Sequence, residues 1–380
     1  MKIQQLDLKA QLIGIREELV KAIIEVVDST QYIMGPQVVE LEKQTAAYCG
    51  MKFGIGVASG TDALLVSLMA LDVGPDDIVL TTPYSFFATA GVVSRCNAKP
   101  IFADIDADSY NLDPTATRRV LESLKSTDRK RVKVLLPVHL YGQSADMWPL
   151  MEIAEDFDLA VIEDGAQAIG AKYDYNGKPV KVGSIGLAGC FSFFPSKNLG
   201  GLGDGGIVVT NDEKFADQVR ILRVHGARPK YYHSFIGGNF RLDTLQAAAL
   251  LVKLPRLDNW HLGRQARAAY YDQHLAGIPG LKLPKVVFKR EYHIYNQYII
   301  SVDKRDELQK HLDEKGISTA IYYPVPFHLQ PCFQYLGYKQ GDFPASEYAA
   351  NHTLALPIYP ELTGEQQDYV ITAVREFLNA

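Results

Sequence analysis

One lysine stands out for where the chain puts it. In Ser192-Phe193-Phe194-Pro195-Ser196-Lys197-Asn198-Leu199-Gly200-Gly201 it follows an apolar, strand-like run and precedes a glycine-rich turn. A lysine half-buried at such a junction loses hydration, which lowers the ammonium's pKa and leaves the free amine that imine formation with an aldehyde requires. The competing reading is a solvated turn lysine, the ordinary fate of that residue type.

Two further clusters add complementary chemistry. Val161-Ile162-Glu163-Asp164-Gly165-Ala166-Gln167-Ala168 ends an apolar run on acids, where Asp164 needs a partner. That partner is either a protonated ring nitrogen, as in pyridoxal phosphate, or the backbone amides of a cap or loop. Ala58-Ser59-Gly60-Thr61-Asp62-Ala63-Leu64 closes a strand and opens a helix. Free amides and a partial positive charge at a helix start suit a phosphate, although capping by Ser59 or Thr61 accounts for the same residues.

Two glycine patterns carry no dinucleotide site. Gly54, Gly56 and Gly60 have the wrong spacing, and Gly201-Leu202-Gly203-Asp204-Gly205-Gly206 leads into a strand-like run instead of a helix.

The elements that position these clusters follow from hydrophobic periodicity. Strands are predicted at 53–58, 78–82, 100–104, 132–138, 160–163, 189–194 and 206–210, and helices at 61–71, 86–95, 114–123 and 147–157. Such alternation describes an α/β unit with a mostly parallel sheet, whose ligands gather beyond the carboxyl ends of the strands. A long helical region is predicted at 242–275, broken by Pro279, Gly280 and Pro284. Beyond it come a strand at 295–302, a helix at 305–315, and a Pro- and aromatic-rich ordered loop at 322–338. The expected organisation is an N-terminal segment with a large domain over 1–250 and a smaller C-terminal domain over 251–380.

Composition narrows the class. The 380 residues are 47% hydrophobic and 22% charged, with a net charge of -5, the balance of an ordinary globular enzyme. No basic run offers a nucleic-acid surface. The apolar stretch at 12–27 is interrupted by Arg16, Glu17, Glu18, Lys21 and Glu25 at helical spacing, so it is read as an amphipathic helix, not a signal peptide. No membrane span is expected, and four scattered cysteines favour core thiols in a reducing, cytoplasmic setting over disulfides or zinc.

Taken in order, Tyr32-Ile33-Met34-Gly35-Pro36, Ser59-Gly60-Thr61-Asp62-Ala63-Leu64, Glu163-Asp164-Gly165-Ala166-Gln167, Phe193-Phe194-Pro195-Ser196-Lys197 and Asn239-Phe240-Arg241-Leu242-Asp243 resemble the markers of the DegT/DnrJ/EryC1/StrS nucleotide-sugar aminotransferases. The resemblance runs nearly end to end. It implies the α/β type I fold of pyridoxal-phosphate transferases, with a mostly parallel seven-stranded sheet in the large domain and a smaller α+β domain. By that resemblance Lys197 forms the Schiff base with pyridoxal 5′-phosphate and shuttles the proton. Asp164 holds the pyridine nitrogen, Gln167 stands beside the phenolic oxygen and Phe86 lies against the ring. The phosphate falls to Gly60, Thr61, Ser192 and Asn239, the last from a second subunit, which implies a homodimer.

The resemblance also implies glutamate as donor. Arg241 is a candidate for its carboxylates, a salt bridge to Asp243 being the alternative. The run from Tyr322 to Pro331 resembles the branch acting at sugar C-3, with a dTDP-linked 3-keto-6-deoxyhexose as acceptor or, alternatively, a UDP-linked 3-keto hexuronate. Tyr323 and His328 are the candidate sugar contacts, against a structural role for both. A lysine-independent C-3 dehydratase and a non-catalytic ligand-binding module are the rival functions; the first is disfavoured by Lys197.

Overall fold

The computed structural model describes residues 1–378. Eleven strands occur in chain order: β1 (Phe53–Val57), β2 (Ile78–Thr81), β3 (Lys99–Phe102), β4 (Val132–Leu136), β5 (Ala160–Asp164), β6 (Lys172–Tyr175), β7 (Lys178–Lys181), β8 (Ala188–Ser192), β9 (Gly206–Thr210), β10 (Tyr298–Ser301) and β11 (Thr353–Leu356). All seven strands predicted for the main sheet are present and form one sheet in the order β1-β9-β8-β5-β4-β2-β3. It is parallel except at β9, which runs antiparallel to both β1 and β8.

The topology follows from strands whose side chains are apolar on both faces. Val79, Ile162, Cys190 and Val208 point to one side, against helices Gly60–Ala70, Ala88–Arg95 and Glu213–Leu222. Ile78, Leu80, Leu135 and Val161 point to the other, against helices Pro114–Ser123 and Met147–Asp156. Three of these helices start on side-chain caps: Ser59 accepts the Asp62 amide, Asp113 the Thr115 amide and Asp212 the Phe215 amide. One consequence decides where chemistry can occur. The carboxyl ends of β1, β2, β4, β5 and β8 open on the same edge of the sheet.

Beyond the main sheet the structure adds helices that the periodicity reading does not predict, Pro36–Cys49, Glu213–Leu222, Pro344–His352 and Gly364–Leu378, and it differs from that reading elsewhere as well. The helical region 242–275 is two helices, Thr244–Lys253 and Leu257–Leu275, joined by a 3-10 turn at Leu254–Arg256. Pro255 in that turn has no amide to donate and its ring crowds the preceding turn. The β6–β7 hairpin was missed, although its Asn176-Gly177 turn, with φ of 52° and 72°, is the dipeptide such hairpins favour. The predicted strand at 295–302 shortens to β10, which pairs antiparallel with β11, and β11 was also missed. Tyr298, Ile300 and Leu354 build a second apolar cluster with Tyr271, Leu308 and Val370, and Ile3 of the N-terminal segment enters it through a bridge to Ile317.

Close backbone approaches constrain the sheet. A Cβ at Gly189 in β8 would fall 2.4 Å from the Gly183 backbone, whose amide donates to Glu163. Gly189→Ala is therefore expected to destabilise the chain by about 1–3 kcal/mol, the usual cost of overpacking, read as a lower urea midpoint with an unchanged m-value.

Candidate active site

Asp164 ends β5 with its carboxylate almost wholly buried. It accepts from the Thr89 hydroxyl at 2.8 Å and from the Ala166 amide at 3.1 Å, and Ser85 in turn meets Thr89 at 3.0 Å. Burial pushes its carboxyl above the ordinary range, while these bonds and the charges of Lys197 and His139 pull it partly back. The neighbouring Glu163 points to the opposite face, buried among four donors: the amides of Gly183, Ile185 and Gly186, and His139 Nε2 at 2.9 Å. His139 Nδ1 accepts the Ala145 amide, which leaves the proton on Nε2. Burial works against the Glu163 carboxylate, yet His139 and the amides hold its pKa below the usual value. Backbone bonds between Asp164 and the Pro137–His139 turn, at 2.8 and 3.0 Å, carry this bracing to the strand end that presents Asp164.

Lys197 sits in the turn after β8. Its amide donates to Phe194 O, the Gly201 amide to Phe193 O, and Lys253 clamps the Gly200 carbonyl at 2.7 Å. The Lys197 ammonium has no ion pair among the described residues, and its pKa falls to about 8 because burial outweighs the opposing pull of Asp164. The two charges feel each other without forming a salt bridge within 4.0 Å, so room remains between them.

A third side of this space is a helix start. Ser59 caps helix Gly60–Ala70, and the amides of Gly60 and Thr61 have no acceptor among the described residues. Gly60 packs so tightly against β8 that an added Cβ would lie 2.6 Å from Ser192 Cβ. That brings the Ser192 side chain against the free amides. On the fourth side Phe86 is 55% exposed, its ring 6.1 Å from that of Tyr323. Gln167 donates to the Tyr323 hydroxyl at 2.9 Å and accepts the Tyr141 amide at 2.8 Å.

Lys197, Asp164, Gly60, Thr61, Ser192, Phe86, Gln167 and Tyr323 thus converge. His328 does not join them. Its ring is 1% exposed, bonded to Glu347 at 2.9 Å and packed edge-on against Phe343, so the alternative of a core histidine describes its position. Asn239 is exposed on the strip that bridges Val224. Arg241 lines an opening of 470 Å³ that touches the helix cap Ser59 and also holds Asp62, Asp204 and Asp243; no carboxylate lies within 4.0 Å of the guanidinium, so the salt bridge to Asp243 is not formed.

Several residues at the site were missed. Tyr84 is the hub of its far wall: its hydroxyl donates to Tyr322 O at 2.7 Å, accepts from the Tyr323 amide at 3.1 Å and contacts Tyr141 and Thr353. The hydroxyl residues Ser85 and Thr89, in the Ser85-Phe86-Phe87-Ala88-Thr89 run that leads into helix Ala88–Arg95, were the available signal for the Asp164 contact.

A model of the DegT/DnrJ/EryC1/StrS aminotransferase family matches residues 14–375. The chain belongs to that family. Among curated relatives of this aminotransferase, a Geobacillus stearothermophilus protein named "Pleiotropic regulatory protein" is 48% identical over 99% of both chains. A UDP-N-acetyl-3-dehydro-alpha-D-glucosamine 3-aminotransferase of Acidithiobacillus ferrooxidans is 40% identical, covering 99% of this chain and 98% of the relative. A dTDP-3-amino-3,4,6-trideoxy-alpha-D-glucose transaminase of Streptomyces venezuelae is 41% identical, covering 99% and 96%. The crystal structure of S. venezuelae DesV in complex with a ketimine intermediate superposes with a TM-score of 0.93 at 41% identity, over 100% of this chain and 99% of that one. The seven-stranded, mostly parallel α/β fold expected from the sequence is thereby shown.

The electrostatics of Lys197 are directly measurable. In the cofactor-free protein its acylation should titrate with a midpoint near 8, well below that of solvated lysines, by competitive labelling and mass spectrometry. Asp164→Asn removes the charge that favours the ammonium and should move that midpoint lower still; a rise would contradict the arrangement.

Proposed function

We propose that this family member is a pyridoxal-5′-phosphate aminotransferase that moves an amino group from glutamate to C-3 of a nucleotide-linked keto sugar, a dTDP-linked 3-keto-6-deoxyhexose in the first instance. One observation carries the reading: a free amine of lowered pKa faces a buried carboxylate across a space whose edge is an unsatisfied helix N-terminus. The residues fit the cofactor, since the Lys197 amine and the Gly60 and Thr61 amides have no protein partner among the described residues and the buried Asp164 carboxylate has hydrogen bonds but no counter-charge within 4.0 Å. When bound, pyridoxal phosphate supplies an electrophilic aldehyde and a ring that withdraws electrons from the reacting carbon.

The chain's own groups supply the rest. With the cofactor in place, Lys197 would hold it through its free amine and would carry the proton at the substrate carbon that loses or gains nitrogen. Asp164, oriented by Thr89 and the Ala166 amide, keeps the pyridine nitrogen protonated. The Gly60 and Thr61 amides and the Ser192 hydroxyl hold the phosphate; Phe86 covers one ring face; Gln167 addresses the phenolic oxygen. Tyr323 forms part of the sugar wall.

A homodimer completes the site in this proposal, with Asn239, on the strip that also carries Arg241, reaching the partner's phosphate. Support comes from the exposed apolar side chains beside them, Tyr231, Tyr232, Phe235 and Ile236, which a lone globular chain has little reason to present. Free thiols at Cys49, Cys96, Cys190 and Cys332 suit the cytoplasm. Among the described residues no helix is long and apolar enough to cross a membrane.

The second acceptor reading, a UDP-linked 3-keto sugar, is supported by the Acidithiobacillus relative, whose identity is nearly that of the dTDP relative. Assaying dTDP- and UDP-linked 3-keto and 4-keto sugars with glutamate separates them, and turnover confined to 4-keto sugars would overturn C-3 chemistry. The holoenzyme should lose its visible cofactor absorbance on adding glutamate; unchanged absorbance with glutamate and other amino donors would favour a regulatory binding protein. Lys197→Ala should lower kcat by roughly a thousandfold or more, while retaining the fold by circular dichroism.

A further inference from the structure

We propose that a cavity of 320 Å³, walled in part by Ser196 next to Lys197 in the chain, receives the carboxylate of the amino donor, with Arg264 as its cationic anchor and Asn296 and Gln297 as its amide walls. The identity of the donor rests on the aminotransferase reading; the anion site itself rests on unmet polar groups. Gln5, Ser196 and Tyr322 add to the lining, and Leu6, Leu8 and Ile358 give it an apolar part. Ser196 is bonded directly to Lys197, and Tyr322 precedes the Tyr323 whose hydroxyl meets Gln167, so the cavity is walled by the same backbone segments that carry the candidate site.

Arg264, on helix Leu257–Leu275, is 3% exposed. Its Nη1 donates to the carbonyls of Tyr295, Asn296 and Ile358 at 3.1, 3.4 and 2.9 Å. Nε and Nη2 have no protein acceptor among the described residues, and no carboxylate lies within 4.0 Å. Glu361 is near enough to favour the cation without pairing with it, and burial still pushes the guanidinium down to about 10. A buried cation without a counter-ion is costly, and a carboxylate taken up along its free edge offsets that cost.

The amides point the same way. Asn296 and Gln297 are each 8% exposed, and their side-chain oxygens, like that of Gln5, are buried without a donor. Their side-chain nitrogens lack protein acceptors as well, apart from Gln5, which donates to Leu356 O at 3.1 Å. So many unmet groups around one cavity describe a site for a polar ligand, because a dry core pairs such groups internally. A single planar guanidinium suits one carboxylate better than a diphosphate. The opening at Arg241 is the poorer candidate, since Asp62, Asp204 and Asp243 line it and repel an anion.

Glutarate, titrated calorimetrically into the cofactor-free full chain, should bind the wild type and bind at least tenfold more weakly to Gln297→Met and to Arg264→Met. Arg264→Lys should recover part of the affinity; because loss of three carbonyl bonds can itself unfold the Arg264 variants, Gln297→Met is the deciding one. In the holoenzyme, stopped-flow absorbance should show the apparent Kd for glutamate raised tenfold or more in Gln297→Met, with the reverse half-reaction from the nucleotide amino sugar changed less than twofold. The proposal is overturned if wild-type chain fails to bind glutarate, if Gln297→Met binds it normally, if only Arg241→Ala weakens it, or if both half-reactions decline together. Glutarate binding of the expected pattern alongside a cofactor that answers neither glutamate nor amino sugar would keep the cavity and discard the aminotransferase reading.

Discussion

A carboxylate and an amine, both withdrawn from water, face each other across a gap that neither can close. Most buried opposite charges in proteins settle into contact, because the attraction that offsets their lost hydration is strong only at short range. Here Asp164 is tied back by Thr89 and the Ala166 amide, and Lys197 by the turn that Lys253 clamps. Each therefore stays partly unsatisfied. The carboxyl is pushed up and the ammonium pushed down, which is the state in which a basic ring nitrogen and an electrophilic carbon would be welcomed together.

Holding that gap open is the work of the fold around it. Asp164 ends a strand whose register is fixed on both sides by parallel neighbours, and the His139–Glu163 pair fills the far side of the same strand end with a fully bonded network. Glu163 and Asp164 illustrate how burial alone decides nothing: adjacent carboxylates in one strand shift in opposite directions because one has four donors and the other two. The helix start at Gly60 is locked against Ser192 by van der Waals contact, so the anion cradle cannot drift relative to the strand that leads to Lys197.

The strands and the chemistry of this edge were legible in the sequence for a physical reason. Residues buried on both sheet faces write continuous apolar runs, and the special residues fall where those runs stop: Asp164, Ser192 and Gly60 are all junction residues. Contacts made across long sequence separations left no such trace. Tyr84 reads as one more aromatic until the chain brings it to Tyr322 and Thr353, and Arg264 reads as a polar helix residue until three carbonyls close around it. His328 failed in the other direction, since an imidazole in an aromatic loop carries the same composition whether it faces a ligand or Glu347. Pro255 and the Asn176-Gly177 turn were in plain sight, and weighting them against the surrounding periodicity would have recovered the helix break and the hairpin.

The attachment of the Tyr322–Tyr323 segment has a further implication. Its backbone hangs from the Tyr84 and Tyr141 hydroxyls, while the amine, the acid and the anion cradle belong to the sheet edge. The molecule therefore separates a floor built on the main sheet, where the proposal puts the chemistry, from a wall fastened by a few oxygens. A substitution in that wall can reshape the space in front of the sheet edge without touching the hydrogen bonds that hold Asp164.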